Sequence, residues 1–256
     1  MAVGTLGCGL RPLSLPSGPG VPYPDYREAF DEASRACRGV RTLTAELEIT
    51  GRAGRTRIRA RALVGLSRPG AIRLEGLAPF GQPVFIFVAR ADRSVLLLPR
   101  DNRVLRGHDP ASILEALAGL PLDPDELQAI LTGCATFEAM PRGGRRYGTE
   151  WAAVDVTDQT TVFLRPDETP RRIVAARAGD VLLDFAEFVG PMPRRIRIVY
   201  ATEPDGVQAD LVVRLSQVEM NTVLDTSVFG VHIPDGVAPL TLDELRRAGH
   251  LGEREE

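Results

Sequence analysis

The stretch from Thr42 to Val64 alternates with period two, and this constrains the fold more than any other feature of the chain. Leu43, Ala45, Leu47 and Ile49 alternate with Thr42, Thr44, Glu46, Glu48 and Thr50. After a turn near Gly51–Gly54, Ile58, Ala60, Ala62 and Val64 alternate with Arg57, Arg59 and Arg61. Successive strand residues point to opposite faces, so both segments read as half-buried antiparallel strands with one apolar and one charged side. Similar patterns recur near 70–77, 83–90, 94–99 and 102–106, and again near 147–156, 160–166, 171–178, 181–188, 194–203 and 207–218. Arg145 and Arg146 fall in a Gly/Arg-rich loop at 141–146, and Phe229, Val231 and Ile233 form a short extended piece. The expected fold is mainly β with some α: an incomplete, curled antiparallel barrel of about 11–12 strands, because open sheets of that size tend to curl.

Four helices complete the pattern. Tyr26, Phe30, Ala33 and Cys37 share one face of a helix over 25–38, ended by Gly39. Asp109-Pro110 starts a short second helix and Gly119 stops it. Asp123-Pro124 with Glu126 forms a capping box for a third, ended by Gly133, and Thr241 with Glu244 caps a fourth. The middle two are too short to be stable alone, so Ile113, Leu117, Leu127 and Leu131 must rest on the sheet. They are expected to form a lid over an apolar concavity. From the strands, Leu43, Leu47, Ile49, Ile58 and Val64 are its candidate lining.

The composition narrows the chemistry. The 31 basic residues are all Arg, which excludes a Schiff-base Lys and a Lys-bearing phosphate loop. A net charge of −3 gives no sign of a nucleic-acid partner. No Gly-x-Ser-x-Gly, His-Glu-x-x-His or Cys-x-x-Cys occurs, so neither catalysis nor a metal is expected. Arg145-Arg146, Arg171-Arg172 and Arg194-Arg195 read as solvated strand ends, with anionic headgroup contacts as the alternative.

Two features point outward. Leu6-Gly7-Cys8 and the Pro/Ser/Gly-rich run after it read as the end of a lipoprotein signal and a flexible tether over residues 1–24, with Cys8 the lipidated residue. The alternative is an incidental cysteine in an irregular N-terminus. With Cys8 set aside, Cys37 and Cys134 can pair in an exported protein or sit as two small buried hydrophobes. The second feature is Pro79-Phe80-Gly81, a large aromatic between two turn formers at the junction of two strands. An apolar group at such a tip either meets a partner or membrane or folds back beneath a neighbouring loop.

The order of these parts resembles the LolB-type outer-membrane lipoprotein receptors of the LolA/LolB lipoprotein-carrier superfamily. The resemblance rests on the anchor cysteine, the tether, one helix, paired strands, Pro79-Phe80-Gly81, the segment Leu117-Ala118-Gly119-Leu120-Pro121-Leu122, and Leu127 to Gly133. It is best over 26–135, thinner over 145–218, and finds no counterpart for the extension from 220. It implies a half-barrel over 25–248 with a polar tail at 249–256, holding lipoprotein acyl chains without a cofactor. It also implies that Phe80 helps deliver lipoproteins into the outer membrane from its periplasmic face, in exchange with a periplasmic LolA-type carrier. A monomer is expected. The competing expectation is a structural envelope lipoprotein whose concavity is plugged by its own side chains. An open hollow above ~300 Å³ would favour the carrier.

Overall fold

The computed structural model describes residues 14–78, 83–90, 93–120, 122–136, 140–202 and 204–248. Cys8, Pro79, Phe80, Gly81 and the tail 249–256 lie outside these residues. In chain order the elements are β1 (Val21–Pro22), α1 (Tyr26–Arg38), β2 (Thr42–Ala53), β3 (Thr56–Ser67), β4 (Ala71–Gly76), β5 (Phe85–Arg90), β6 (Arg93–Leu98) and β7 (Arg103–Arg106). Two helices follow, α2 (Pro110–Ala118) and α3 (Pro124–Leu131). Then come β8 (Gly143–Tyr147), β9 (Trp151–Asp155), β10 (Thr160–Leu164), β11 (Ile173–Ala178), β12 (Val181–Ala186), β13 (Arg195–Thr202) and β14 (Gly206–Met220). A 3-10 turn at Thr226–Phe229, β15 (Ala238–Pro239) and α4 (Leu242–Ala248) end the described chain.

All the strands belong to one curled sheet in the order β1-β8-β9-β10-β11-β12-β13-β14-β2-β3-β4-β5-β6-β7-β15, which starts and ends without closing. Among the described residues only the β15–β7 pair is parallel. The sheet is two meanders, β2–β7 and β8–β14, fused where β14 pairs with β2. The register there sets Leu215 opposite Leu47 and Val213 opposite Ile49. Ile49 in turn faces Ala60 across β2–β3, and Ile196 faces Val213 across β13–β14. Apolar rows therefore run unbroken from one meander into the other on the inner face, and each fully buried Leu or Ile in them contributes roughly 1.5–3 kcal/mol.

The sheet has 15 strands where the pattern predicted about a dozen. The additions are two-residue pairings, β1 and β15, and β8. The Gly/Arg loop at 141–146 is partly a strand: Gly143 and Gly144 pair with Asp155 and Val154, and a Cβ at Gly144 would collide with Tyr26 of α1. Glycine suits this site because the helix packs on it, and the composition that looks like a loop is a contact surface. The extended piece expected at 229–233 begins instead as the 3-10 turn. Part of the segment expected as a flexible tether is instead packed on the sheet. Leu15 packs beside the cluster of Trp151 and Phe163, the Tyr147 hydroxyl donates to the Gly18 carbonyl at 3.0 Å, and Val21–Pro22 pairs with β8.

The caps read from the sequence are in place. The Asp109 carboxylate accepts the Ser112 N–H at 3.1 Å, and Gly119 takes the left-handed conformation. Asp123 and Glu126 exchange hydrogen bonds of 2.7 and 2.9 Å in a complete capping box. Of the two alternatives open for Cys37 and Cys134, the structure has the bond: a disulfide with a Cα–Cα distance of 5.6 Å ties the end of α1 to the residue three beyond α3. Its partners are separated by 97 residues. On the chain-entropy account, losing it costs about 4–5 kcal/mol. A reducing agent should thus lower the melting temperature of the natural chain and leave Cys37→Ser/Cys134→Ser unchanged. Equal melting with and without reductant would show that the bond is not formed in solution.

Candidate functional site

α2 and α3 lie over the inner face of the sheet, and an apolar hollow remains between them and the strands. Leu47 and Ile49 of β2, Ile58, Ala60 and Ala62 of β3, Leu74 of β4 and Phe85 of β5 form one side of its floor. Ile198, Leu211 and Val213 form the other. The lid supplies Leu114, Leu117 and Ala118 from α2, Leu120, and Leu127 and Leu131 from α3. Arg61 reaches the wall only at its base, since its side chain is turned outward and bonds Glu46. The lining is otherwise apolar throughout, so it offers no hydrogen bond that would orient a polar substrate. Its volume is about 90 Å³. That is far below the ~300 Å³ expected of an open ligand pocket, so the lid is shut onto the floor.

Of the candidate lining and lid residues, Leu47, Ile49, Ile58, Leu117, Leu127 and Leu131 border the hollow. Leu43, Val64 and Ile113 belong to the same core but lie outside the lining. The reading missed Leu74, Phe85 and the three residues of β13 and β14. Their own period-two alternation was visible, but nothing local shows that β14 closes against β2. Phe85 has a specific seat, because a Cβ at Gly76 opposite it would collide with its ring. The Pro79-Phe80-Gly81 segment lies outside the described residues. It is bracketed by β4 and β5, a directly paired antiparallel couple whose last pair is Gly76 and Phe85.

Charged groups stay away from the hollow. Burial raises the pKa of Asp184 against the pull of Arg195 and Arg197, and burial raises that of Glu126. Neither borders the hollow. Each arginine run holds at least one ion-paired member rather than being simply solvated. Arg145 bonds Asp155 at 2.5 Å, Arg146 bonds Asp167, and Arg171 holds Glu32 at 2.5 Å. Arg195 forms an ion pair with Glu187 at 3.2 Å, its side chain only 13% exposed. Among the described residues no group of three or more His, Cys, Asp or Glu could hold a metal ion, and no helix is long and apolar enough to cross a membrane.

The extension beyond β14, for which the family resemblance offers no counterpart, reaches the lid. It leaves β14 at Asn221, whose side chain accepts the Arg41 N–H at 2.7 Å. It then crosses the outer face, where Phe229 packs on Ala71 and Val88 and Arg73 donates to the carbonyls of Val228 and Gly230 at 3.0 and 2.7 Å. After pairing with β7 it ends in α4, which packs on α2 with Leu245 buried. Arg103 of β7 donates to Glu244 at 2.7 Å, and Arg246 lies 3.8 Å from Glu115 of α2.

Glu244 is lowered from 4.5 to about 2, first by accepting the Thr241 backbone N–H and then by the Arg103 guanidinium. A depressed folded-state pKa stabilises above the unfolded value and loses that stabilisation as pH falls through the folded one. The melting-temperature deficit of Glu244→Gln should therefore be full above pH 4.5 and fade as the pH approaches about 2. A deficit independent of pH would show that the Glu244 charge does not hold α4.

No family model matches the sequence, and no curated protein matches it significantly. Solved structures do. One is a LolA superfamily protein from Nitrosomonas europaea, at 10% identity and a TM-score of 0.55, covering 79% of this chain and 96% of that one. Another is a DUF1329 family protein from Desulfovibrio piger, at 12% identity and a TM-score of 0.51, covering 80% and 97%. At these identities the likeness is one of fold alone: the chain has a curled, open antiparallel sheet similar to that of the LolA superfamily structure.

Proposed function

We propose that this protein is a LolB-type, lipid-anchored receptor that takes lipoprotein acyl chains into the lidded hollow and helps insert lipoproteins into the outer membrane. The observation that carries the reading is the apolar hollow itself, closed by two short helices instead of by strand pairing. An acyl chain needs contact area and no hydrogen bonds, which is what Leu, Ile, Val, Ala and Phe on both sides supply. Entry requires the lid to rise. The disulfide fastens the end of α3 to α1, whereas α2 is held by side-chain packing and by α4. In this reading α2 is the part that lifts.

The reading places the protein on the periplasmic face of the outer membrane, anchored through Cys8, as a monomer without cofactor or enzymatic activity. Its partners are lipoprotein acyl chains, outer-membrane lipid and a periplasmic LolA-type carrier. Pro79, Phe80 and Gly81 form the loop that enters the bilayer. Phe80→Glu should then change stability by under ~0.5 kcal/mol. It should nonetheless abolish lipoprotein transfer into liposomes, because a carboxylate is costly to place among acyl chains. A strongly lowered melting temperature would mean that Phe80 is a buried core residue.

A second reading, a structural envelope lipoprotein, draws on one observation: at about 90 Å³ the closed hollow holds no chain. Ala118→Phe separates the two. The new ring fills the hollow from the lid, at a typical stability cost of about 1–3 kcal/mol. The carrier reading predicts that a fluorescent fatty acid binds the natural chain and binds Ala118→Phe at least tenfold more weakly. It also predicts that mass spectrometry finds lipid on the natively purified protein alone. Absence of binding to both would leave the structural reading.

A further inference from the structure

The end of the long β2–β3 hairpin carries charge that the rest of the fold does not balance. Arg52 on β2 stands directly opposite Arg57 on β3, Arg59 follows one strand step further on the same face, and Arg55 sits in the turn. All four are exposed. Like charges directly opposite on one face are destabilising. Two of the three neighbouring carboxylates are committed elsewhere. Asp210, opposite Arg52 across β14, is held by both arms of Arg197 at 2.7 and 2.8 Å. Glu46 binds Arg61 and Gln217. Glu48, opposite Arg61 one pair further in, borders the same surface and leaves four arginines against one carboxylate. Among the described residues none of the four arginines has a carboxylate within ion-pair distance, in a chain whose net charge is −3.

Their arrangement also has a shape. Arg52, Arg57 and Arg59, with Glu48, Thr50, Gly51 and Ile58, line a depression of about 450 Å³ on the outer surface, distinct from the apolar hollow. Val207, 62% exposed, lies beside the turn, since the Gly54 N–H bonds the carbonyl of the next residue, Gln208. Guanidinium groups bind phosphate oxygens in a two-pronged geometry, and several converging on one depression recognise a phosphate-bearing surface.

We propose that this hairpin end is a docking surface for an anionic phospholipid bilayer, with Arg52, Arg55, Arg57 and Arg59 contacting headgroup phosphates and Val207 meeting the interface. Lipid phosphates supply the countercharge that the fold leaves out, and the repulsion between Arg52 and Arg57 is relieved on docking. The proposal rests on the receptor reading only for the place of action.

The test is co-sedimentation of the full-length chain with vesicles of phosphatidylglycerol mixed into phosphatidylcholine, against vesicles of phosphatidylcholine alone. The expected result is salt-sensitive binding to the anionic vesicles only, weakened roughly tenfold or more in Arg52→Gln/Arg55→Gln/Arg57→Gln/Arg59→Gln. That variant should melt no lower than the natural chain, since it removes a repulsion. If it does not fold, Arg55→Gln/Arg59→Gln provides the comparison and should lose part of the binding. Equal binding to both vesicle types, or unchanged binding by the variants, overturns the proposal. So does displacement by inorganic phosphate at concentrations too low to screen charge, which would assign the depression to a free anion. The assay needs no cargo, so its failure leaves acyl-chain binding standing, and loss of fatty-acid binding in Ala118→Phe leaves vesicle docking standing.

Discussion

Pairing of β14 with β2 is the interaction on which the rest of the structure depends. Either meander alone would be a small sheet with an apolar face and nothing to bury it against. Joined through Leu215–Leu47 and Val213–Ile49, they become one curved surface whose inner rows continue from β13 to β5. The pairing also explains the length of β14, which at 15 residues is the longest strand and carries a register shift between Ser216 and Glu219 as it follows the curve. A sheet that curls but does not close leaves an apolar inner face that its own side chains cannot fully cover. The two short helices exist in folded form because that face is there to receive them.

The lid is held unequally. At one end a covalent bond fixes the residue three beyond α3 to α1. At the other, α2 is backed by α4, which follows an extension that crosses the outer face of β4 and β5 and pairs with β7 as β15. The contacts of α4 are a buried Leu245, one Arg103–Glu244 pair and a long Arg246–Glu115 approach at the surface. Exposed ion pairs contribute little in water, so α2 is the weaker half of the lid. The same extension fixes Arg73 through two backbone carbonyls and thereby keeps the outer face of β4 occupied.

Much of this architecture was legible because it is local. Alternation along Thr42–Thr50 and Arg57–Val64 gave both strands and their inward faces, and Asp109, Asp123-x-x-Glu126 and Thr241-x-x-Glu244 marked three helix starts. What was illegible is non-local. Nothing near Met220 says that it will lie opposite Leu43, so Ile198, Leu211 and Val213 could not be assigned to the hollow. Gly143 and Gly144 read as loop residues, although they form a strand that must admit Tyr26. Arg145, Arg171 and Arg195 looked solvated because their carboxylate partners lie 10 or more residues away or on other elements. The volume of the hollow depends on how closely the lid settles, which no pattern in the chain encodes.

The central claim is that the hollow opens by movement of α2 while α3 stays fixed. Hydrogen–deuterium exchange across the whole chain, with and without a bound fatty acid, tests it directly. The account predicts that the fatty acid changes exchange over Pro110–Ala118 and on the inner strands beneath it, while the last turn of α3 beside Cys134 is unaltered. Exchange over α2 that is identical with and without fatty acid, at concentrations where the fatty acid is bound, would contradict it.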